Sequence, residues 1–168
     1  MPYSVNAGKS WLTQRFLLTE PDRVLDVGAG CGTYALLWRP LRRGHWTAIE
    51  GYEPNVKRFG LNRIYDEVHV CDAREMVLDS DHYDLAIFGD VLEHMGLDEA
   101  DSLLQHARNH SRNVCVSIPI GEHPQGAVGG NELERHVHSW TLDDLKRLDP
   151  TDWHQDNFIA TAWWVQGG

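Results

Sequence analysis

A chain of 168 residues is long enough to bury one core and too short for two, so residues 1–168 are expected to form a single domain. A composition of 42% hydrophobic and 24% charged residues is that of a globular protein, and no apolar run approaches the roughly 20 residues a membrane helix needs. The formal net charge of −10 argues against long nucleic acids as partners, and three scattered cysteines argue against a disulfide frame or a thiolate zinc site.

The opening residues, MPYSVNAGKSW, lack a basic patch followed by an apolar stretch, so no leader is visible and a cytoplasmic address is expected. Residues 10–18 (SWLTQRFLL) have helical spacing, and Pro21 interrupts before a strand over residues 23–27. A glycine loop follows, then a helix over about residues 33–41. Residues 46–52 (WTAIEGY) form a second strand, 56–62 a short helix, and 67–71 (EVHVC) a third strand with β-branched alternation. One or two helical turns are expected at 73–77. The continuous apolar run at 83–89 (YDLAIFG) suits a strand covered on both faces, 98–109 a helix with an acidic first turn, and 113–118 (NVCVSI) a fifth strand. Beyond it come a glycine-rich loop at 121–131, a helix at 142–148 begun by Thr141, and a last strand at 158–165.

Strands alternating with helices imply an α/β, doubly wound, mostly parallel sheet with helices on both faces, whose ligands bind beyond the carboxyl ends of the strands. The loop in VLDVGAGCG, residues 24–32, places glycines at 28, 30 and 32. A dinucleotide fingerprint wants its third glycine one residue later, at Thr33, so a pyrophosphate is disfavoured. Close backbone approach, with Asp26 upstream to attract a cation, suits a nucleoside bearing an amino acid.

In these residues the chain resembles the class I S-adenosylmethionine-dependent methyltransferases, over roughly residues 23–118. The resemblance implies a compact Rossmann-like fold without a large cap, and S-adenosylmethionine as cofactor. It implies that Asp26, Gly28, Ala29 and Gly30 hold the amino-acid portion. In AIEGYEP, residues 48–54, it implies an acid accepting both ribose hydroxyls; the Gly-x-Glu-Pro order favours Glu53 with Pro54, and Glu50 competes. In VCDARE it implies Asp72 and the amide of Ala73 at the adenine, and in IFGDVLEHM it implies Asp90 beside the methionine portion.

Methyl transfer from a sulfonium is an in-line displacement, for which positioning can supply on the order of 7–11 kcal/mol. What remains is to make the acceptor nucleophilic, by a base or by a metal. His94 in DVLEHM is the candidate base, with His123, His138 and Glu134 in reserve. Glu93, His94 and His136 are candidate ligands of a divalent metal, because DVLEHM resembles a motif of two metal-assisted branches of O-methyltransferases, the small-RNA and the ubiquinone-pathway enzymes, and the first of these also has a histidine four residues before Trp-Thr, here His136 in ERHVHSWT. Asp90 stands where those branches have glutamate, and Met95 where a second histidine would follow. Trp140, Trp163 and Trp164 read as packing residues.

The acceptor expected is a small molecule or sugar methylated on oxygen, in a site left open or completed by a second copy of the chain. A non-catalytic S-adenosylmethionine-binding partner subunit is the alternative, and a nucleotide oxidoreductase a third reading.

Overall fold

The computed structural model describes residues 5–78 and 82–166; residues 1–4, on which part of the leader reading falls, lie outside the described residues. Its strands are β1 (Arg23–Val27), β2 (His45–Ile49), β3 (Glu67–His69), β4 (Leu85–Gly89), β5 (Asn113–Pro119), β6 (Asp152–Asp156) and β7 (Ile159–Val165). They form one sheet in the order β3-β2-β1-β4-β5-β7-β6. The first five run parallel, and β7 is antiparallel to both β5 and β6.

Alternation along the strands divides the core in two. Leu25, Val27, Ala86 and Phe88 face a layer built from α4 (Leu97–His110) and α5 (Leu142–Arg147), where Leu103, Leu104 and Leu145 are buried. Val24, Leu85 and Ile87 face the opposite layer, where α1 (Lys9–Thr19) contributes Leu12 and Phe16 and α2 (Thr33–Trp38) contributes Tyr34 and Trp38. Val56 and Phe59 of α3 (Glu53–Phe59) pack against this second cluster. Helices therefore cover both faces, as the alternation of elements implied.

The differences from expectation are local. β2 ends at Ile49 instead of Tyr52, which leaves Glu50 at the strand tip. α3 begins at Glu53, with Pro54 in its first turn, where a fixed φ and a missing N–H are tolerated. The expected turns at 73–77 are a single 3-10 turn, Ala73–Glu75. β6 was not foreseen: its sequence, DWHQD, is mostly exposed on the sheet edge and carries no apolar alternation, so only its pairing with β7 makes it a strand.

The strand order reverses on either side of β1, which pairs with β2 and β4. Their carboxyl ends diverge there and open a crevice, the place where ligands of such sheets bind.

Candidate active site

The crevice is a cleft of about 870 Å³, a volume that includes the solvent at its open mouth. Its floor is the glycine loop after β1. The amides of Gly28 and Ala29 both donate to the Ile49 carbonyl, at 2.9 and 3.0 Å, which ties the loop to the tip of β2. Gly28 has φ +69°, and a Cβ there would lie 2.5 Å from a methyl of Val91, so the chain can pass this point only as glycine without strain.

Four of the carboxylates on the cleft wall belong to strand tips. Asp26 is 2% exposed and accepts a hydrogen bond from the Tyr65 hydroxyl at 2.6 Å. Burial raises its pKa to about 7, against the lowering effect of Tyr65 and with a further push from the charge of Glu50. Glu50 is also buried and accepts from the amides of Gly30 (2.7 Å) and Tyr52 (2.9 Å) and from the Asn55 side chain (3.2 Å). Burial raises its pKa, those bonds lower it, and the charge of Glu134 raises it again. Asp72 caps the 3-10 turn after β3 and accepts from the Arg74 amide and guanidinium at 2.5–2.9 Å, which holds its pKa below the usual range. Asp90, in the left-handed region at φ 56°, donates its amide to Ser117 O at 2.8 Å and accepts from the Ser117 hydroxyl at 3.2 Å.

Glu53 and Pro54, favoured above for the ribose, are corrected by this geometry. Both are exposed on the first turn of α3 and neither lines the cleft, because β2 stops three residues short of its expected end. Glu50, the competitor, is the acid at the strand tip. Gly28, Ala29, Gly30, Asp72, Ala73 and Asp90 all line the cleft with it.

His94 also lines the cleft. Its Nδ1 lies 3.2 Å from Arg135 O, and burial lowers its pKa. Glu93 and His136 do not line the cleft, but a donor atom of each lies within 4.8 Å of the others and of His94, and the two imidazole centroids are 5.1 Å apart. Glu93 is 2% exposed and its Oε2 has no hydrogen-bond partner among the described residues; burial, then the charge of Asp90, pushes its pKa well up. Burial also lowers the pKa of His136.

His136 reaches this corner on a strap, residues 121–141, that runs from β5 back across the cleft. The amides of Val137 and His138 both donate to the main-chain oxygen of Glu93, at 2.8 and 3.2 Å, and the His136 amide donates to Gln125 O at 3.0 Å. The strap brings Asn131, Leu133 and Glu134 into the cleft wall.

Residues 8–148 match a family model described as a methyltransferase domain. The chain belongs to the class I S-adenosylmethionine-dependent methyltransferases. No curated protein matches it in sequence. Among solved structures it is similar to an S-adenosylmethionine-dependent methyltransferase from Clostridium acetobutylicum (11% identity, 98% of this chain and 93% of that one, TM-score 0.72). It is similar also to the magnesium protoporphyrin IX methyltransferase of Synechocystis with bound S-adenosylhomocysteine (12%, 94% and 81%, TM-score 0.70). A third is the 1,6-didemethyltoxoflavin-N1-methyltransferase of Burkholderia thailandensis, solved with its acceptor and S-adenosylhomocysteine (19%, 95% and 76%, TM-score 0.68). At these identities the likeness is one of fold.

The remaining candidates of this methyltransferase fall outside the cleft wall. His123 faces Ile120 O and the Phe158 ring, and His138 lies 3.5 Å from Asp144 of α5. Trp140, Trp163 and Trp164 are at most 2% exposed and belong to the core. Sequence reasoning missed Tyr65 on Asp26, Asn55 on Glu50, and the wall residues Tyr34, Asn131 and Leu133. None sits in a motif; only the fold carries them to the cleft. No helix among the described residues is long and apolar enough to cross a membrane.

Proposed function

We propose that the protein transfers the methyl group of S-adenosylmethionine to a hydroxyl oxygen of a small molecule or sugar. The observation that carries this reading is the layout of one cleft: acids and glycines at the tips of β1 to β4, and in the same wall a half-buried imidazole of lowered pKa, His94. In it Gly28 to Gly30 bring backbone against the amino-acid tail and Asp26 attracts its ammonium. Glu50 accepts from the vicinal ribose hydroxyls, a pairing that two oxygens on one carboxylate match. Asp72 and the Ala73 amide address the adenine edge, and Asp90 flanks the methionine portion.

The reaction needs no electron sink. The acceptor oxygen attacks the methyl carbon, the carbon–sulfur bond breaks, and its electron pair stays on sulfur. With the Nδ1–H of His94 donated to Arg135 O, a tautomer assigned from that contact, Nε2 is left with a lone pair to take the acceptor's proton. O-methylation is preferred because the motif echo at DVLEHM is to O-methyltransferases.

A second reading of the same corner is favoured by the orphaned Glu93 Oε2. Glu93, His94 and His136 offer one carboxylate and two imidazoles, a donor set suited to a divalent transition metal. Their donor atoms all lie within 4.8 Å of one another, and an ion held there would draw them closer together. When bound, such an ion lowers the pKa of a coordinated hydroxyl.

The test is incubation with labelled S-adenosylmethionine and panels of polyols, sugars and phenols, with and without a chelator. Label is expected in a hydroxyl-bearing acceptor, with His94→Ala slowing turnover on the order of 10²–10⁴-fold. Transfer that ignores the chelator removes the ion; unchanged turnover in His94→Ala removes the base. Cofactor binding without transfer to any acceptor would favour a non-catalytic partner subunit.

A further inference from the structure

Acids outnumber bases in the cleft wall, an excess that in-line transfer does not by itself require. Among the described residues Asp26, Glu50, Asp72, Asp90 and Glu134 line it with one arginine, Arg74, whose guanidinium is bound to Asp72, while Lys9 lies within electrostatic reach of Asp90. Glu134 differs from the other four in origin. They sit at or just past strand tips, whereas Glu134 arrives on the strap, as the last residue of a 3-10 turn capped by Asn131 and with its own carbonyl accepting from Gln125 Nε2 at 2.6 Å. Its chain neighbours bracket it between the two ends of the cleft: a methyl of Leu133 lies where a Cβ at Gly51, beside Glu50, would come within 2.5 Å of it, and Arg135 O lies 3.2 Å from His94 Nδ1, with Glu134 itself in the cleft wall. A donor with its ribose at Glu50 and its methyl toward His94 therefore has its sulfur in the span between them, beneath the strap.

We propose that Glu134 reads the charge of the donor, retaining the sulfonium form in the cleft and releasing the neutral thioether product. The inference rests on the methyl transfer proposed above. S-adenosylmethionine carries a sulfonium, an ammonium and a carboxylate. When the methyl leaves for the acceptor oxygen, sulfur keeps the bonding pair, the acceptor proton goes to the base, and the ligand becomes neutral overall. Asp26 cannot tell the two ligands apart, because both keep the ammonium it attracts. Only a charge near the sulfur can, and in a half-buried cleft such an interaction is screened far less than in bulk water.

Calorimetric titration tests this with three ligands: S-adenosylmethionine, S-adenosylhomocysteine, and an analogue in which a protonated amine replaces the sulfonium methyl. The wild type should bind both cations more tightly than S-adenosylhomocysteine. Glu134→Gln should weaken the two cations by on the order of tenfold, the equivalent of about 1.4 kcal/mol, and leave S-adenosylhomocysteine within about twofold. Glu132→Gln, an exposed carboxylate on the same strap paired with Arg135, should change none of the three. Equal losses for all three ligands in Glu134→Gln, or no loss at all, would overturn the proposal. A wild type without the preference overturns it with no variant needed. If S-adenosylhomocysteine does not bind the wild type, the transfer reading itself has failed.

Discussion

Asp26 is the residue whose environment departs furthest from water. It titrates at about 7 in the folded chain and near 3.9 when unfolded, so between those values the folded protein holds an extra proton. Stability from that proton is complete below the unfolded pKa and is lost as pH rises through the folded one. Asp26→Asn, which keeps an acceptor for Tyr65, should therefore gain on the wild type in unfolding free energy as pH rises from 5 to 8, by on the order of a few kcal/mol in denaturant titrations, while losing donor affinity. The neighbouring acids separate cleanly. Glu50→Gln should weaken S-adenosylhomocysteine by more than about tenfold, since it disturbs both the ribose partner and the anchor of Gly30, whereas Glu53→Gln on exposed helix should not. For His94, burial favours the neutral ring, so the acid limb of kcat/KM should lie below about pH 6.5 and flatten at neutrality. A limb at or above that value would take the base role from it. The strand-tip acids were legible as a set because each lies at or shortly after the carboxyl end of a strand, yet the choice between Glu50 and Glu53 turned on where β2 ends, and a local motif does not determine that.

At the scale of elements, the glycine loop and the strap carry the site. Gly28→Ala places a Cβ against Val91 at a backbone angle that costs about 1–2 kcal/mol in any L residue, so both thermal stability and S-adenosylhomocysteine affinity should fall. Between its two ends the strap has no helix longer than one 3-10 turn and no strand, and many of its residues are exposed, which puts it toward the low end of local stability. Amide exchange across residues 121–141 should slow when S-adenosylhomocysteine binds, with α4 unchanged; equal exchange with and without ligand would mean the strap does not sense the donor. Its glycines marked it as a loop in the sequence. Its course did not show there, because its anchors are main-chain oxygens of Glu93 and Gln125 that no residue type announces.

For the whole molecule, the order of strands and helices was readable from period and punctuation because the buried strands are continuous apolar runs and the helices begin at recognisable caps such as Thr141 with Asp144. The edge hairpin was not readable, since β6 owes its form to a neighbour and not to its own residues. The two amides of Val137 and His138 that hang on Glu93 O have a consequence for redesign. Moorings written in backbone survive replacement of the side chains they carry. The side chains at 126–128 could thus be exchanged to suit a new acceptor while Glu134 and the span itself stay fastened at the cleft.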